Sequence, residues 1–167
     1  ATPGGTAFAK TLPAAGPFGF FDPLGYSEKL TSMEIMRMRE SELAHGRVAM
    51  MASVGFLVQE AFHPIFPVEA GVDGPVIRQL DQVLGNTQMG TSGGFVLLMA
   101  IFFSEFWRAR VGWEDPEVAV QTLKEGYWPG DLKFDPMGMK PKVEAELLNM
   151  QAKEINNGRL AMIAVAG

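Results

Sequence analysis

Glu42-Leu43-Ala44-His45-Gly46-Arg47-Val48-Ala49-Met50-Met51-Ala52 returns 112 positions later as Glu154-Ile155-Asn156-Asn157-Gly158-Arg159-Leu160-Ala161-Met162-Ile163-Ala164. Upstream, Phe21-Asp22-Pro23-Leu24-Gly25 matches Phe134-Asp135-Pro136-Met137-Gly138, one residue out of step. A loop followed by a helix is therefore duplicated around a middle segment that resembles neither copy. Repeats of one orientation in a membrane protein are related by a two-fold axis along the membrane normal. The charges inside the repeat require such a partner. On a helix, Glu154 and Arg159 lie about 140° apart and do not readily pair with each other. The positions three and four residues from Arg159 hold Ile155, Asn156, Met162 and Ile163, none of them acidic. An unpaired charge in a membrane is costly and marks a functional site. The two-fold arrangement resolves this if Glu154 meets Arg47 while Glu42 meets Arg159. Gly46, Ala49 and Ala52, like Gly158, Ala161 and Ala164, recur every three positions, so two backbones can approach closely at a crossing. For the first copy there is a local alternative, a surface ion pair between Arg39 and Glu42.

Working outward, residues 1–30 are rich in Gly, Pro and Phe and read as irregular structure. Thr31, with Glu34 three residues on, is a capping box that starts a helix over about 32–62, up to His63-Pro64. About 30 residues give roughly 45 Å, longer than a hydrocarbon core of roughly 30 Å, so a spanning helix here tilts or projects. Residues 63–90 read as a loop. The apolar run Phe95-Val96-Leu97-Leu98-Met99-Ala100-Ile101-Phe102-Phe103 places a middle helix at about 92–110. A polar connection follows, and a third helix begins near 142. Leu160 to Ala166 is too short to finish a span, so the third helix is expected to be truncated at 167. The fold class expected is an all-α membrane protein, one domain over 1–167. Its three transmembrane helices have the first and third crossing as a pseudo-two-fold pair, with the middle helix alongside.

Composition narrows the chemistry. The 167 residues carry 14 Lys and Arg against 19 Asp and Glu, a net charge of −5, which argues against a nucleic-acid partner. Mean hydropathy is slightly positive although 20% of residues are charged, so polar and apolar residues are segregated along the chain. The absence of Cys excludes disulfides, thiolate metal sites and thiol catalysis. Ala1-Thr2-Pro3-Gly4-Gly5 reads as a processed N-terminus. Neither a nucleophile–base set nor a phosphate loop nor a catalytic metal cluster is evident, so an enzyme is not expected.

Each repeat also holds a ligand-type side chain three residues after its Glu: His45 in one and Asn157 in the other. These share a face with the Glu. A chlorophyll magnesium has four ring nitrogens and takes an axial fifth ligand, for which imidazole, carboxylate or amide oxygen serves. A carboxylate that ligates the metal and pairs with an Arg carries little net charge, so its burial is tolerable. Glu-x-x-His-Gly-Arg and Glu-x-x-Asn-Gly-Arg at this separation, each preceded by Phe-Asp-Pro-x-Gly, resemble the chlorophyll-binding light-harvesting family over roughly residues 20 to 167.

The resemblance implies chlorophyll ligands at Glu42, His45, Glu154 and Asn157, with Arg47 and Arg159 as charge partners. It implies a further ligand at Glu105 neutralised by Arg108, and no chlorophyll at Leu97, where green-plant members have Gln. Gln59, about 40° from the face of His45, and His63 are additional ligand candidates, the latter weighed against a helix cap. Gln59 is weighed against a polar residue snorkelling at the membrane edge. The two Phe-Asp-Pro-x-Gly turns, through Asp22, Pro23, Asp135 and Pro136, would hold carotenoid ends. Without the resemblance they are turn chemistry. Eleven Met and twelve Phe would line pigment or lipid.

The short loops are similar to the fucoxanthin–chlorophyll a/c proteins of diatoms and brown algae. That implies chlorophyll a, chlorophyll c, fucoxanthin and a diadinoxanthin-type xanthophyll, with magnesium of chlorophyll the sole metal. Expected partners are thylakoid lipids, other antenna subunits and a photosystem I or II core. Basic residues cluster before and at the start of the first helix (Lys10, Lys29, Arg37, Arg39) and in the second connection, which places the N-terminus on the stromal side. The function expected is light harvesting. A photoprotective, energy-dissipating member of the same family is the alternative within it. A small membrane transporter using the buried Glu and Arg is the alternative from another class, but it leaves His45 and Asn157 unexplained.

Overall fold

A computed structural model describes residues 5–13, 19–61 and 87–167, with backbone alone at 60–61 and 87–94. Its helices are α1 (Gly5–Thr11), α2 (Ser32–Ala61), α3 (Thr87–Gly112) and α4 (Glu144–Ala166), with a 3-10 turn at Tyr26–Lys29. Among the described residues there is no strand, only an isolated bridge between Trp113 and Leu123. The chain divides into two compact units, residues 1–50 with 109–167, and residues 51–108.

In the first unit the start of α2 follows from local chemistry. Thr31 N–H donates to Glu34 Oε2 at 2.8 Å, and Glu34 N–H donates back to Thr31 Oγ1 at 3.3 Å. That satisfies two of the amide donors a helix start leaves without partners. Beneath this start, Ala9 of α1 and Leu12 just after it pack with Ile35, ringed by Phe8, Phe20 and Leu30. α1 comes so close that a Cβ on Gly5 would strike the carbonyl oxygens of Ser27 and Leu30.

The two copies of Phe-Asp-Pro-x-Gly fold alike. Asp22 accepts from the amides of Tyr26 at 3.1 Å and Ser27 at 2.9 Å; Asp135 accepts from Met139 and Lys140, both at 2.9 Å. Gly25 and Gly138 close the turns at φ +65° and +64°, a region that glycine enters without strain. The sequence repeat is thus also a repeat of hydrogen bonds.

α2 and α4 meet at Gly46 and Gly158. A Cβ built on either glycine would lie 3.0 Å from the Cα of the other, and the next contacts, 3.6 and 3.9 Å, are the same in both directions. Leu43, Ala49, Ile155 and Ala161 are buried around this point.

Boundaries differ modestly from expectation. α3 spans 26 residues rather than 92–110, because Gly90, Gly93 and Gly94 lie inside it. Each glycine costs about 1 kcal/mol relative to Ala in a helix, yet no proline interrupts the ladder. α4 begins at Glu144 rather than 142, after an extended Val143 at φ −87°, ψ 124°. Among the described residues, no helix is long and apolar enough to cross a membrane. In α2 the reason is plain: Glu40, Glu42, His45 and Arg47 fall within it.

Candidate functional site

The crossing carries the charges. Arg47 Nε donates to Glu154 Oε1 at 2.7 Å, and Arg159 Nε donates to Glu42 Oε1 at 2.6 Å. The two pairs lie on either side of the Gly46–Gly158 contact, joined by helices 107 and 117 residues apart in sequence. Arg47, Glu154 and Glu42 are each about a third exposed, whereas Arg159 is exposed. The halves are not identical. Arg39 lies 3.3 Å from Glu42 Oε2, so Glu42 has two cations, the second within ion-pair range but without hydrogen-bond alignment. Glu154 Oε2 receives no hydrogen bond from the described residues.

His45 is exposed on α2, and its Nδ1 lies 2.7 Å from the carbonyl oxygen of Ser41. A carbonyl only accepts, so Nδ1 is the donor in this contact, which leaves Nε2 as the ring nitrogen available to a ligand. This is the arrangement of metal-ligating imidazoles. Asn157, the counterpart of His45 in the second copy, is likewise exposed on α4. In the second unit, Arg108 places Nη2 at 2.7 Å and Nε at 3.1 Å, both on Glu105 Oε2. Glu105 is half exposed, and its Oε1 is not engaged by that guanidinium. Gln59 is exposed on α2. His63 lies outside the described residues. Among the described residues no three His, Cys, Asp or Glu side chains converge as a metal cluster. Single donors, each exposed or beside a guanidinium, suit a magnesium that brings four ligands of its own.

Sequence reasoning missed the most buried carboxylate of the first unit. Glu40 is 2% exposed, and its Oε2 accepts from Tyr127 O–H at 2.9 Å and Gly130 N–H at 2.7 Å. Burial, followed by the adjacent Glu40, pushes the Tyr127 phenol above its ordinary range. Gly130 O then accepts from Arg47 Nη2 at 2.8 Å. A signal existed: Glu40, Leu43 and Arg47 are spaced i, i+3, i+7, one stripe of α2, and Arg47 was already assigned inward.

The segment Trp128-Pro129-Gly130-Asp131 bounds a cavity of about 650 Å³, lined also by Phe134, Met139, Met150 and Gln151. Gln151 Oε1 is buried there without a hydrogen-bond partner among the described residues. Asp131 bonds Lys140 Nζ at 2.7 Å, which holds its carboxyl below the usual range. Backbone amides do the same for Asp22, chiefly Ser27, and for Asp135, chiefly Lys140. Both of these carboxylates are engaged in shaping their turns.

The family model described as chlorophyll A-B binding protein matches residues 8–167. The chain is 45% identical over 166 residues to light-harvesting complex stress-related protein 1, chloroplastic, of Chlamydomonas reinhardtii, covering 96% of this chain and 63% of that protein. It is also 45% identical to the fucoxanthin-chlorophyll a-c binding protein, chloroplastic, of Isochrysis galbana, covering 96% and 75%. Chlorophyll a-b binding protein 6, chloroplastic, of Arabidopsis thaliana is 39% identical, with 92% of this chain and 59% of that protein covered. The chain thus spans under two thirds of the stress-related relative's length.

Proposed function

Because the chain belongs to the chlorophyll A-B binding protein family, whose members are light-harvesting pigment binders rather than enzymes, we propose that it is a thylakoid antenna subunit carrying chlorophyll a, chlorophyll c and fucoxanthin. Excitation would pass from it to neighbouring antenna subunits and a photosystem I or II core. The observation that carries this reading is the reciprocal pairing of Glu42 with Arg159 and Glu154 with Arg47 across the Gly46–Gly158 contact. A carboxylate neutralised by a guanidinium still has lone pairs for a metal. Glu42, Glu154 and Glu105 are the proposed carboxylate ligands, His45 the imidazole ligand through Nε2, and Asn157 the amide ligand; Gln59 and His63 complete the candidates. Arg47, Arg159 and Arg108 are the charge partners. Bound chlorophyll supplies the visible transition and its excited state. The chain supplies fixed positions, since excitation transfer depends on how pigments are spaced and oriented.

Carotenoid ends, from fucoxanthin and a diadinoxanthin-type xanthophyll, are assigned to the twin turns. Asp22 and Asp135 shape these turns, Pro23 and Pro136 stiffen them, and exposed Phe21, Leu24, Phe134 and Met137 offer the apolar contact. We assign α2, α3 and α4 as the three transmembrane helices of a single antenna domain, with the N-terminus stromal. Exposed Val48, Met51, Val54 and Leu57 on α2, Phe95 to Leu98 and Phe102 on α3, and Leu160 and Ile163 on α4 support lipid or pigment contact along each helix.

Chromatography of an organic extract of the purified protein tests the reading. Chlorophyll c with fucoxanthin is the expected result. Chlorophyll b would overturn the pigment set, and a colourless extract would overturn the antenna function.

A photoprotective role is the second reading, favoured by the 45% identity to the stress-related Chlamydomonas protein. The excited-state lifetime with and without acidification separates the two. A harvesting subunit keeps a long lifetime at both pH values, whereas a dissipating one shortens it.

A further inference from the structure

Glu40 is a buried carboxylate that no pigment role accounts for. Removing a carboxylate from water is costly unless donors replace the lost hydration. Here the donors are Tyr127 O–H and Gly130 N–H, 87 and 90 residues away in the connection between α3 and α4. The site is built to receive them. A Cβ on Gly112 would come within 2.9 Å of the Tyr127 ring, so a glycine at the end of α3 leaves room for it. Gly130 sits at φ +84°, and a Cβ there would lie 2.7 Å from Leu43 Cδ1.

Gly130 faces both ways. Its N–H is held by Glu40, and its carbonyl receives Arg47 Nη2 at 2.8 Å. Arg47 is a planar fork whose donors are fixed relative to one another. Once Nη2 is fastened to Gly130, Nε is aimed, and it meets Glu154 Oε1 at 2.7 Å. We propose that Glu40 is a positioning residue: through Gly130 and Arg47 it sets the orientation of Glu154. This inference rests on the reading above that Glu154 holds a chlorophyll magnesium.

The internal repeat provides a built-in control. At the position equivalent to Glu40 the second copy has Ala152, and at the position equivalent to Arg39 it has Gln151. The Arg159–Glu42 half therefore has no matching buried carboxylate, and Glu42 instead has Arg39 nearby. Positioning by Glu40 acts on one half of the crossing. A plain structural anchor would loosen both.

The test uses the full chain reconstituted with chlorophyll a, chlorophyll c and fucoxanthin, read by pigment stoichiometry, low-temperature absorption and thermal melting. Difference spectra of Glu154→Leu and Glu42→Leu against wild type first identify the band of the chlorophyll on each half. Glu40→Gln removes the charge, and Tyr127→Phe removes one donor with little change of shape, so at least one variant assembles. The expected result for both is a shift or loss confined to the Glu154 band. Retention of that chlorophyll under detergent should be roughly tenfold weaker, as when the support of a metal ligand is removed. The Glu42 band should be unmoved. Equal changes in both bands, or a lowered melting temperature with the Glu154 band unchanged, overturn the inference while leaving the ligand assignment intact. If Glu154→Leu itself keeps its full chlorophyll complement, the ligand assignment fails and the inference falls with it.

Discussion

At the scale of single residues, the two arginines of the crossing have different neighbours. Arg47 bonds both Glu154 and the carbonyl of Gly130, whereas Arg159 bonds a carboxylate that also has Arg39 within 3.3 Å. Arg47→Leu leaves Glu154 without its cation and Gly130 O without its donor, a loss of roughly 1–3 kcal/mol for partly exposed groups. Arg159→Leu leaves Glu42 with Arg39 and is expected to cost less. Melting of the pigment-loaded protein, followed by visible circular dichroism, compares them. Equal destabilisation would show that Arg39 does nothing for Glu42.

At the scale of elements, α2 and α4 cross so closely that a Cβ on either glycine would be tighter against the other backbone than nearly all real contacts. Gly158→Ala adds a methyl group 3.0 Å from the Cα of Gly46, and both atoms belong to helices that must move apart for relief. Overpacking of this kind costs about 1–3 kcal/mol, and Gly46→Ala should match it because the contact is reciprocal. Differential scanning calorimetry of both variants measures it; a neutral effect would mean the helices part freely. The sequence made this crossing legible because the duplication doubled every clue: two glycines, two arginines and two glutamates, each without a local partner in at least one copy. The Thr31–Glu34 start was legible for a different reason, since all its atoms lie within four residues. Glu40 escaped notice because its partners, Tyr127 and Gly130, come from an irregular connection whose path no periodicity encodes. The early start of α3 escaped because Gly90, Gly93 and Gly94 look like a boundary when only local propensity is weighed.

At the scale of the whole molecule, the twin turns make stability respond to acid in a defined direction. Backbone amides hold Asp22 and Asp135 below the ordinary range, Ser27 chiefly for the first and Lys140 for the second. A group whose folded value is depressed contributes stability that is complete above its unfolded value of about 4 and is lost as pH falls through the folded one. The turns therefore do not respond between pH 7 and 5. The double variant Asp22→Asn, Asp135→Asn should be less stable than wild type at neutral pH, and the gap should close below about pH 4. Melting temperatures across that range decide it, and a gap that widens on acidification would refute the assignment.

The reciprocal ion pairs also set a schedule for biosynthesis. Arg47 precedes Glu154 by 107 residues, and Glu42 precedes Arg159 by 117. At about 5–20 residues per second, Arg47 leaves the ribosome roughly 5–20 s before Glu154 exists, whereas Glu42 already has Arg39 beside it. On the transmembrane assignment proposed above, Arg47 then has to wait in water or at a headgroup surface. The crossing therefore cannot close until the chain has been made through Arg159, and on the proposed function chlorophyll held there follows the synthesis of both helices.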